Sequence, residues 1–152
     1  MTDIILSYDE AINLERQHVK HELMDYRRYC ARVEYLTDKI ARIDHKLNGD
    51  LSAASICSSG GSSVSANNSW ITTAMAEQEE LQKELDMATY HVDLVEGYLA
   101  KLNDEHYEAI NLYVISNNCT KLEESAESLG YKTKRALLKA IEAAITEILE
   151  KN

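Results

Sequence analysis

The sequence contains no proline and no phenylalanine. Since proline is the residue that most strongly breaks helices, its absence leaves every segment free to be helical. Cysteine is scarce as well: the three cysteines, Cys30, Cys57 and Cys119, are widely spaced, and none belongs to a C-x-x-C pair. An odd number of isolated cysteines argues against a disulfide framework and against a zinc site, so reduced thiols are expected.

Signals for export and for membrane insertion are also missing. The first ten residues, MTDIILSYDE, have no basic segment and only a three-residue apolar run, which is unlike a signal peptide. No stretch approaches the roughly 18 apolar residues of a membrane-spanning helix. We therefore expect a cytoplasmic protein that does not interact with membranes.

Positive charge is scarce and is concentrated near the end of the chain. The 16 Lys and Arg residues face 26 Asp and Glu residues, which gives a formal net charge of −10. Residues 71–102 and 103–130 each carry a net charge of −5, whereas residues 131–152 carry +2. A protein that coats nucleic acid non-specifically would be basic over a wide surface, so this class of function is disfavoured.

Helical periodicity is the main pattern that the sequence does contain. Ser7 and Glu10 have the S-x-x-E spacing of a capping box, which predicts the start of a helix. Asn48-Gly49 can stop a helix in the left-handed conformation, so one long helix is predicted within residues 1–48. Residues 49–69 hold eight Ser and three Gly and predict a flexible loop or a disordered connection. Along the helix, apolar residues recur every seven positions: Ile12, Val19, Tyr26, Val33, Ile40 and Leu47.

A second long helix is predicted over residues 70–102. Two long helices joined by one loop favour an antiparallel hairpin, or a coiled coil that also pairs two chains. Gln78, a polar residue in an apolar row, either sets the register of this pairing or is a simple polar break. The two apolar rows lie three positions apart: Ile71, Gln78, Leu85, Val92 and Leu99, and Ala74, Leu81, Ala88, Val95 and Leu102.

Shorter helices are predicted in residues 103–152. Asn103 can cap a first one, EHYEAINLYVI, and Thr120 begins a capping-box spacing before a second one that ends at Gly130. Thr133 can cap a final helix that reaches almost to the end of the chain. The predicted fold is therefore all-α: a long helical hairpin or coiled coil followed by a set of short helices.

Two short helices joined by a glycine-containing turn are typical of the helix-turn-helix motif. The motif needs a small residue where the helices approach, which Ala126 supplies, and a residue that tolerates positive φ, which Gly130 supplies. Ala136 and Ala140 are predicted to be buried by the second helix. The residues left exposed form the candidate DNA-binding set: Lys132, Thr133, Lys134, Arg135, Leu138 and Lys139.

The stretches LNDEHYEAINLYVI, ESAESLGY and KTKRALLKAIEAAI together resemble the DNA-binding fourth region of sigma factors. With the long helical segment and polar loop in front, the whole chain is similar to phage regulators of the ArpU and RinA type. The resemblance implies a sequence-specific DNA-binding transcriptional regulator that controls late phage genes inside a bacterial host cell. Its implied partner is double-stranded promoter DNA.

Further partners are expected from the helices around this motif. One helix-turn-helix makes few contacts, so we expect two copies of the chain to bind paired half-sites, with the long helices forming the homodimer. The acidic segment 71–130 offers a surface for a basic partner such as host RNA polymerase. On the DNA, the lysines would neutralise phosphates, Arg135 would contact a guanine edge, and Thr133 with the helix N-terminus would hold a phosphate.

Two positions depart from the family pattern. Ser125 occupies a position where the family usually has a buried isoleucine, which predicts a weakened helix pair or an exposed helix face. Ala136 replaces a residue that is usually β-branched. The first departure is the point at which this interpretation is most easily tested.

Candidate residues for catalysis or metal binding do not combine into a site. Glu15 and His18 form an E-x-x-H unit, but a di-iron bundle needs a second such unit and the chain has none. We therefore interpret His18 and His21 as surface residues, and Cys57 as an unreactive thiol without a neighbouring cation. The P-loop, G-x-S-x-G and H-E-x-x-H motifs do not occur, so we expect neither an enzyme nor a cofactor.

A second hypothesis takes the negative charge as the functional feature. A small acidic helical phage protein can occupy the nucleic-acid-binding groove of a host enzyme, as anti-CRISPR and anti-restriction inhibitors do. Residues 71–130 would then form the binding surface, and the basic helix would be incidental. Heparin separates the hypotheses, because a DNA-binding regulator binds it with a steep dependence on salt and a groove mimic does not.

Overall fold

Helices make up all the regular secondary structure in residues 7–57 and 64–151, the part of the chain whose backbone this computed structural model describes. Side chains are described for residues 7–49 and 69–151. The helices are α1 (Tyr8–Cys57), α2 (Val64–Ala100), α3 (Asp104–Ala109), α4 (Leu122–Ser128) and α5 (Lys134–Glu150), and α3 continues directly into a π-helical segment, Ile110–Ser116. The all-α fold class is confirmed.

The start of α1 was predicted correctly, whereas its end was not. The Ser7 hydroxyl accepts a hydrogen bond from the Glu10 amide at 3.2 Å, and the Glu10 carboxylate accepts one from the Ser7 amide at 3.3 Å. These two bonds form the predicted capping box. The predicted stop at Asn48-Gly49 is wrong, since α1 continues to Cys57. Glycine in a helix costs only about 1 kcal/mol relative to alanine, which by itself does not end a helix.

The predicted loop over residues 49–69 is correspondingly wrong over much of its length. Its first part belongs to α1, which runs to Cys57, and its last part belongs to α2, which begins at Val64. Residues 58–63 lie outside the described residues. Serine and glycine lower helix propensity by at most about 1 kcal/mol each, so a composition rich in both does not exclude helix.

The chain divides into two compact units, and the division crosses both long helices. Residues 29–90 form one unit, which we call the hairpin unit. Residues 1–28 and 91–152 form the other, which we call the terminal unit because it contains both chain termini. The start of α1 thus belongs with the short helices of the C-terminal half, which are far from it in sequence.

Within the hairpin unit the two long helices run antiparallel. Arg32 pairs with Glu84 at 3.0 Å, and the Gln78 side-chain amide donates to the Ile40 carbonyl at 3.4 Å. Residue numbers therefore rise along α1 as they fall along α2. The contact between Gln78 and the facing helix favours its role in register over a simple polar break. Among the described side chains of this unit, four apolar residues are buried: Leu36, Leu47, Leu81 and Ala88.

The terminal unit has a larger core. Val19 and Leu23 of α1 and Val95 and Tyr98 of α2 pack with the short helices that follow them. The π-helical segment supplies consecutive buried residues to this core. Together with Ala126 of α4, the remaining core residues are Ala109, Ile110, Tyr113, Val114, Ile115, Leu137, Ile141, Ala144, Ile145 and Ile148.

Polar contacts accompany this core within the terminal unit. The buried Glu22 carboxylate lies 2.8 Å from Nδ1 of His91, which joins α1 to α2. Glu147 near the end of α5 contacts Lys151, at 2.8 Å, and the ring of His106. These two bonds, with Lys151 first, hold the pKa of Glu147 down at about 2, from its ordinary value of 4.5.

Among the described residues, none of the helices combines the length and apolar character that crossing a membrane requires.

Candidate nucleic-acid interface

The C-terminal end of α4 sets the geometry of the candidate interface. The Tyr131 amide donates to the Ala126 carbonyl at 2.8 Å, and the Gly130 amide donates to the Glu127 carbonyl at 3.1 Å. This pair of bonds is a Schellman motif, in which the residue after the helix adopts a left-handed conformation. Gly130 has φ of +83°, as the sequence predicts for this turn. The backbone can therefore reverse within a few residues and begin α5.

Thr133 caps the N-terminus of α5. It has extended backbone angles, and its hydroxyl accepts a hydrogen bond from the Ala136 amide at 3.0 Å. The predicted cap is thus confirmed. Because the hydroxyl oxygen accepts this bond, the hydroxyl hydrogen is still able to donate to a ligand.

One face of α5 is buried, and it differs by one position from the predicted face. Leu137 and Ile141 are buried in the core, whereas Ala136 and Ala140 are only half-buried. The two alanines therefore lie at the edge of the buried face, and the prediction that they are buried is wrong in degree. The larger side chains of Leu137 and Ile141 occupy the centre of that face. Ala126 on α4 is buried, as predicted.

All six residues of the candidate DNA-binding set are exposed: Lys132, Thr133, Lys134, Arg135, Leu138 and Lys139. Leu138 is 42% exposed, which is unusual for a leucine in a helix that buries five other residues. The set occupies the turn before α5 and the first two turns of the helix. It thus forms one continuous solvent-facing surface at the N-terminal end of α5.

Farther along α5, Arg16 of α1 covers part of the helix surface. Its guanidinium donates to the Thr146 hydroxyl at 2.8 Å and to the Glu142 carbonyl at 2.9 Å, and it also pairs with the Glu142 carboxylate. The cations of α5 itself, Lys134, Arg135 and Lys139, all lie in its first two turns.

Charges near this surface are mixed. Lys134 lies 3.7 Å from the Glu123 carboxylate of α4, and both side chains are well exposed, so the pair contributes little to stability. Among the described residues no carboxylate lies within 4.0 Å of Lys132, Arg135 or Lys139. These three cations are therefore available to an external anion.

The prediction of an exposed helix face at Ser125 is wrong. This residue is 1% exposed, and its hydroxyl accepts a hydrogen bond from the Asn117 side-chain amide at 2.8 Å. The serine neither exposes a helix face nor lacks a partner, because Asn117, eight residues earlier, satisfies it. Asn117 lies in the turn before α4, so the bond ties that turn to the helix.

The predicted capping box at Thr120 is also wrong. The residue that caps α4 is Lys121, which has a left-handed backbone and makes no side-chain capping bond. The Thr120 hydroxyl instead bonds to the Asn117 carbonyl. This arrangement depends on the conformation of the turn that precedes the helix, which the T-x-x-E spacing of Thr120 and Glu123 does not describe.

The histidines and glutamates of the E-x-x-H unit do not assemble. Glu15, His18 and His21 are exposed on α1, and Glu22 instead bonds to His91. Within the described ranges, no group of three or more His, Cys, Asp and Glu residues is arranged to hold a metal ion. The side chain of Cys57 lies outside the described residues.

Comparisons with known proteins identify no relative: no protein-family model, no curated protein and no solved structure matches this chain at a significant level.

Proposed function

We propose that this chain is a sequence-specific DNA-binding protein that places the N-terminal turns of α5 in the major groove of double-stranded DNA. The observation that carries the proposal is the joint exposure of Lys132, Arg135 and Lys139 without carboxylate partners, beside a helix-turn-helix corner closed by Gly130. In helix-turn-helix proteins the second helix enters the groove with its N-terminal residues on the base edges.

Each exposed side chain has a role in this complex. Arg135 presents a guanidinium, the group that makes bidentate bonds to guanine. Lys132, Lys134 and Lys139 neutralise phosphates, and Leu138 contacts the methyl group of a thymine. The Thr133 hydroxyl donates to a phosphate while its oxygen remains the helix cap.

The proposal extends to a transcriptional regulator that acts as a homodimer. A single recognition helix gives modest specificity, and two copies on paired half-sites raise it. The half-buried rows of the hairpin unit offer apolar surface for such pairing. The resemblance to phage late-gene regulators adds promoter DNA in the host cytoplasm as the target and host RNA polymerase as a further partner.

The test begins with selection of bound fragments from a random DNA pool, followed by affinity measurements on the selected site. Arg135→Ala should weaken binding by about 1–3 kcal/mol and relax the preference at one base pair. Lys139→Ala should weaken binding to all sequences alike. Arg42→Ala is the matched control, since Arg42 is exposed and pairs with Asp38 in the hairpin unit.

Failure to enrich any sequence, together with equal affinities of wild type and Arg135→Ala, would refute DNA recognition by α5. Circular dichroism of each variant shows whether the fold is intact. Because Arg135 is exposed, its replacement should leave the helical signal unchanged.

A second candidate function has support from the hairpin unit. Its α2 segment exposes five carboxylates in ten residues, Glu77, Glu79, Glu80, Glu84 and Asp86, against the single cation Lys83. This density of negative charge suits an inhibitor that occupies a basic groove of a host enzyme. A chain that is not retained on heparin and does not bind DNA would favour this function over the first.

A further inference from the structure

A stripe of cations runs along the first part of α1, outside the candidate interface. Arg16, Lys20 and Arg27 are spaced by four and seven residues, so they lie on one face of the helix. Arg16 contacts α5 through Glu142 and Thr146. The stripe therefore begins beside the later turns of α5, the helix whose first turns carry the candidate DNA-binding residues.

The other end of the stripe meets the turn that precedes α4. The Arg27 guanidinium donates to the Ser116 carbonyl at 3.1 Å, which fixes its position at the end of the π-helical segment. Burial raises the pKa of the Cys119 thiol, and the nearby charge of Lys20 partly opposes this effect. Lys20 shares the helix face of Arg27, which contacts this turn directly.

This turn has a defined conformation. Asn118, Cys119 and Lys121 all have positive φ, between 52° and 60°. The Tyr113 hydroxyl donates to the Cys119 carbonyl at 3.1 Å, and the Asn117 amide donates to Ser125. These bonds hold an otherwise costly backbone in place, so the exposed side chain of Lys121 projects from a rigid support.

The cations of this region differ in their partners. Within the described part of the terminal unit, Arg16, Arg28, Lys134 and Lys151 each pair with a carboxylate. No carboxylate among the described residues lies within 4.0 Å of Lys20, Arg27 or Lys121. Leaving these three cations unpaired is notable in a chain with a formal net charge of −10.

We propose that Lys20, Arg27 and Lys121 form a second surface, which contacts the phosphate backbone of the duplex whose bases are contacted by α5. The proposal rests on the proposed DNA-binding function. A large share of protein–DNA hydrogen bonds goes to phosphate and sugar, and these bonds position the recognition helix without specifying sequence. The bond from Arg27 to Ser116 leaves other N–H groups of the guanidinium to donate to a phosphate.

The test uses the full chain and the selected DNA site. The triple variant Lys20→Gln, Arg27→Gln and Lys121→Gln removes the second surface. A matched control, Arg32→Gln, Arg42→Gln and Lys83→Gln, removes the same net charge from cations that are paired with carboxylates in the hairpin unit. Affinity is measured by fluorescence anisotropy over about 50–300 mM salt, the range in which counterion release dominates.

Each lost phosphate contact lowers the slope of log K against log salt by about 0.9, so the triple variant should lose about 2–3 units of slope. Its preference for the selected site over other sequences should stay as in the wild type, because phosphate contacts carry no sequence information. The control should keep the wild-type slope. Arg135→Ala should show the opposite pattern, with altered preference and little change in slope.

The failures of the two proposals are distinguishable. If the wild type binds DNA and Arg135→Ala alters its preference, but the triple variant keeps the slope of the control, the second surface is refuted and DNA binding by α5 stands. If the wild type does not bind DNA, both proposals are refuted. Circular dichroism of both triple variants confirms that the comparison is made between folded proteins.

Discussion

Apolar residues recur with the same helical periodicity in the terminal unit and in the hairpin unit. The share of side chains that is buried, however, is much larger in the terminal unit. Fifteen apolar residues are buried in the core of the terminal unit, against four in the hairpin unit, which has about half as many described side chains. In the hairpin unit most heptad positions are only half-buried, among them Val33, Ile40 and Leu85. Regular heptads thus predict where a helix packs, and not how completely.

The physical reason is the number of neighbours around each helix. A helix in a two-helix pair can cover only one stripe of its partner, and the edges of that stripe stay in contact with water. In the terminal unit, segments of α1 and α2 and the short helices surround a common centre, so Ile110, Val114 and Ile148 lose all contact with water. We therefore expect the terminal unit to hold more of the stability per residue, and the predictions below test this difference.

The largest effect should come from truncating the core of the terminal unit. Ile141→Ala removes a side chain that is 2% exposed and should lower the free energy of unfolding by about 2–5 kcal/mol. Leu85→Ala removes a half-buried side chain of the hairpin unit and should cost about 1 kcal/mol. Urea unfolding followed by circular dichroism measures both changes.

Trp70, the only tryptophan, lies in the hairpin unit and gives a local signal for it. Its fluorescence should respond to Leu85→Ala at least as strongly as the overall helical signal does. Equal losses for the two variants would contradict the difference in burial between the units.

A smaller effect is expected for the buried polar pair in the terminal unit. Ser125→Ala leaves the Asn117 amide without its acceptor and should cost about 1–3 kcal/mol. The double variant with Asn117→Ala should recover part of this loss, since it removes both partners. Ser128→Ala is the control because Ser128 is exposed on the same helix, and a similar loss there would show that the pair is unimportant.

The next effect concerns helix caps. Thr133→Ala removes the bond to the Ala136 amide and should destabilise the terminal unit by about 1 kcal/mol. Ser7→Ala removes the equivalent bond at the start of α1, whose first buried residue is Val19, about three turns farther along, so fraying there should cost about half as much. Thermal unfolding of the two variants gives the comparison. A larger loss of stability for Ser7→Ala than for Thr133→Ala would contradict the prediction.

The last prediction concerns the dependence of stability on pH, which for Glu147 appears only in acid. Because the pKa of Glu147 is lowered from 4.5 to about 2 in the folded state, its carboxylate stabilises the fold fully above pH 4.5. This contribution should be lost as the pH falls from 4.5 through 2. The melting temperature of the wild type should drop over this range more steeply than that of Glu147→Gln, and parallel curves would contradict the prediction.

Local signals were predicted well because they depend on neighbouring residues. Ser7, Asn103 and Thr133 all cap helices as expected, with the Asn103 side chain accepting from the His106 amide at 2.8 Å. Gly130 closes the turn between α4 and α5. In each case the hydrogen-bonded groups are within a few residues of one another, so the sequence pattern contains the whole interaction.

The wrong predictions have different causes. An exposed helix face was expected at Ser125 because its partner, Asn117, lies across a turn whose conformation the sequence pattern does not describe. The stop at Asn48-Gly49 was overestimated because the tendency of glycine to end a helix is small compared with the cooperativity of a long one. The placement of the candidate DNA-binding residues on an exposed face was expected, whereas the cations of α1 were not singled out.

The sequence alone determined that this chain is helical, where α1, α3 and α5 begin and which face of α5 carries the cations, because these properties arise within a few turns of one helix. Tertiary structure decided which distant residues meet. Arg27 reaches Ser116 across 89 positions of sequence, and Arg16 reaches Thr146 across 130. Such contacts depend on how the helices pack in three dimensions. The spacing of residues along the sequence does not show which helices are neighbours.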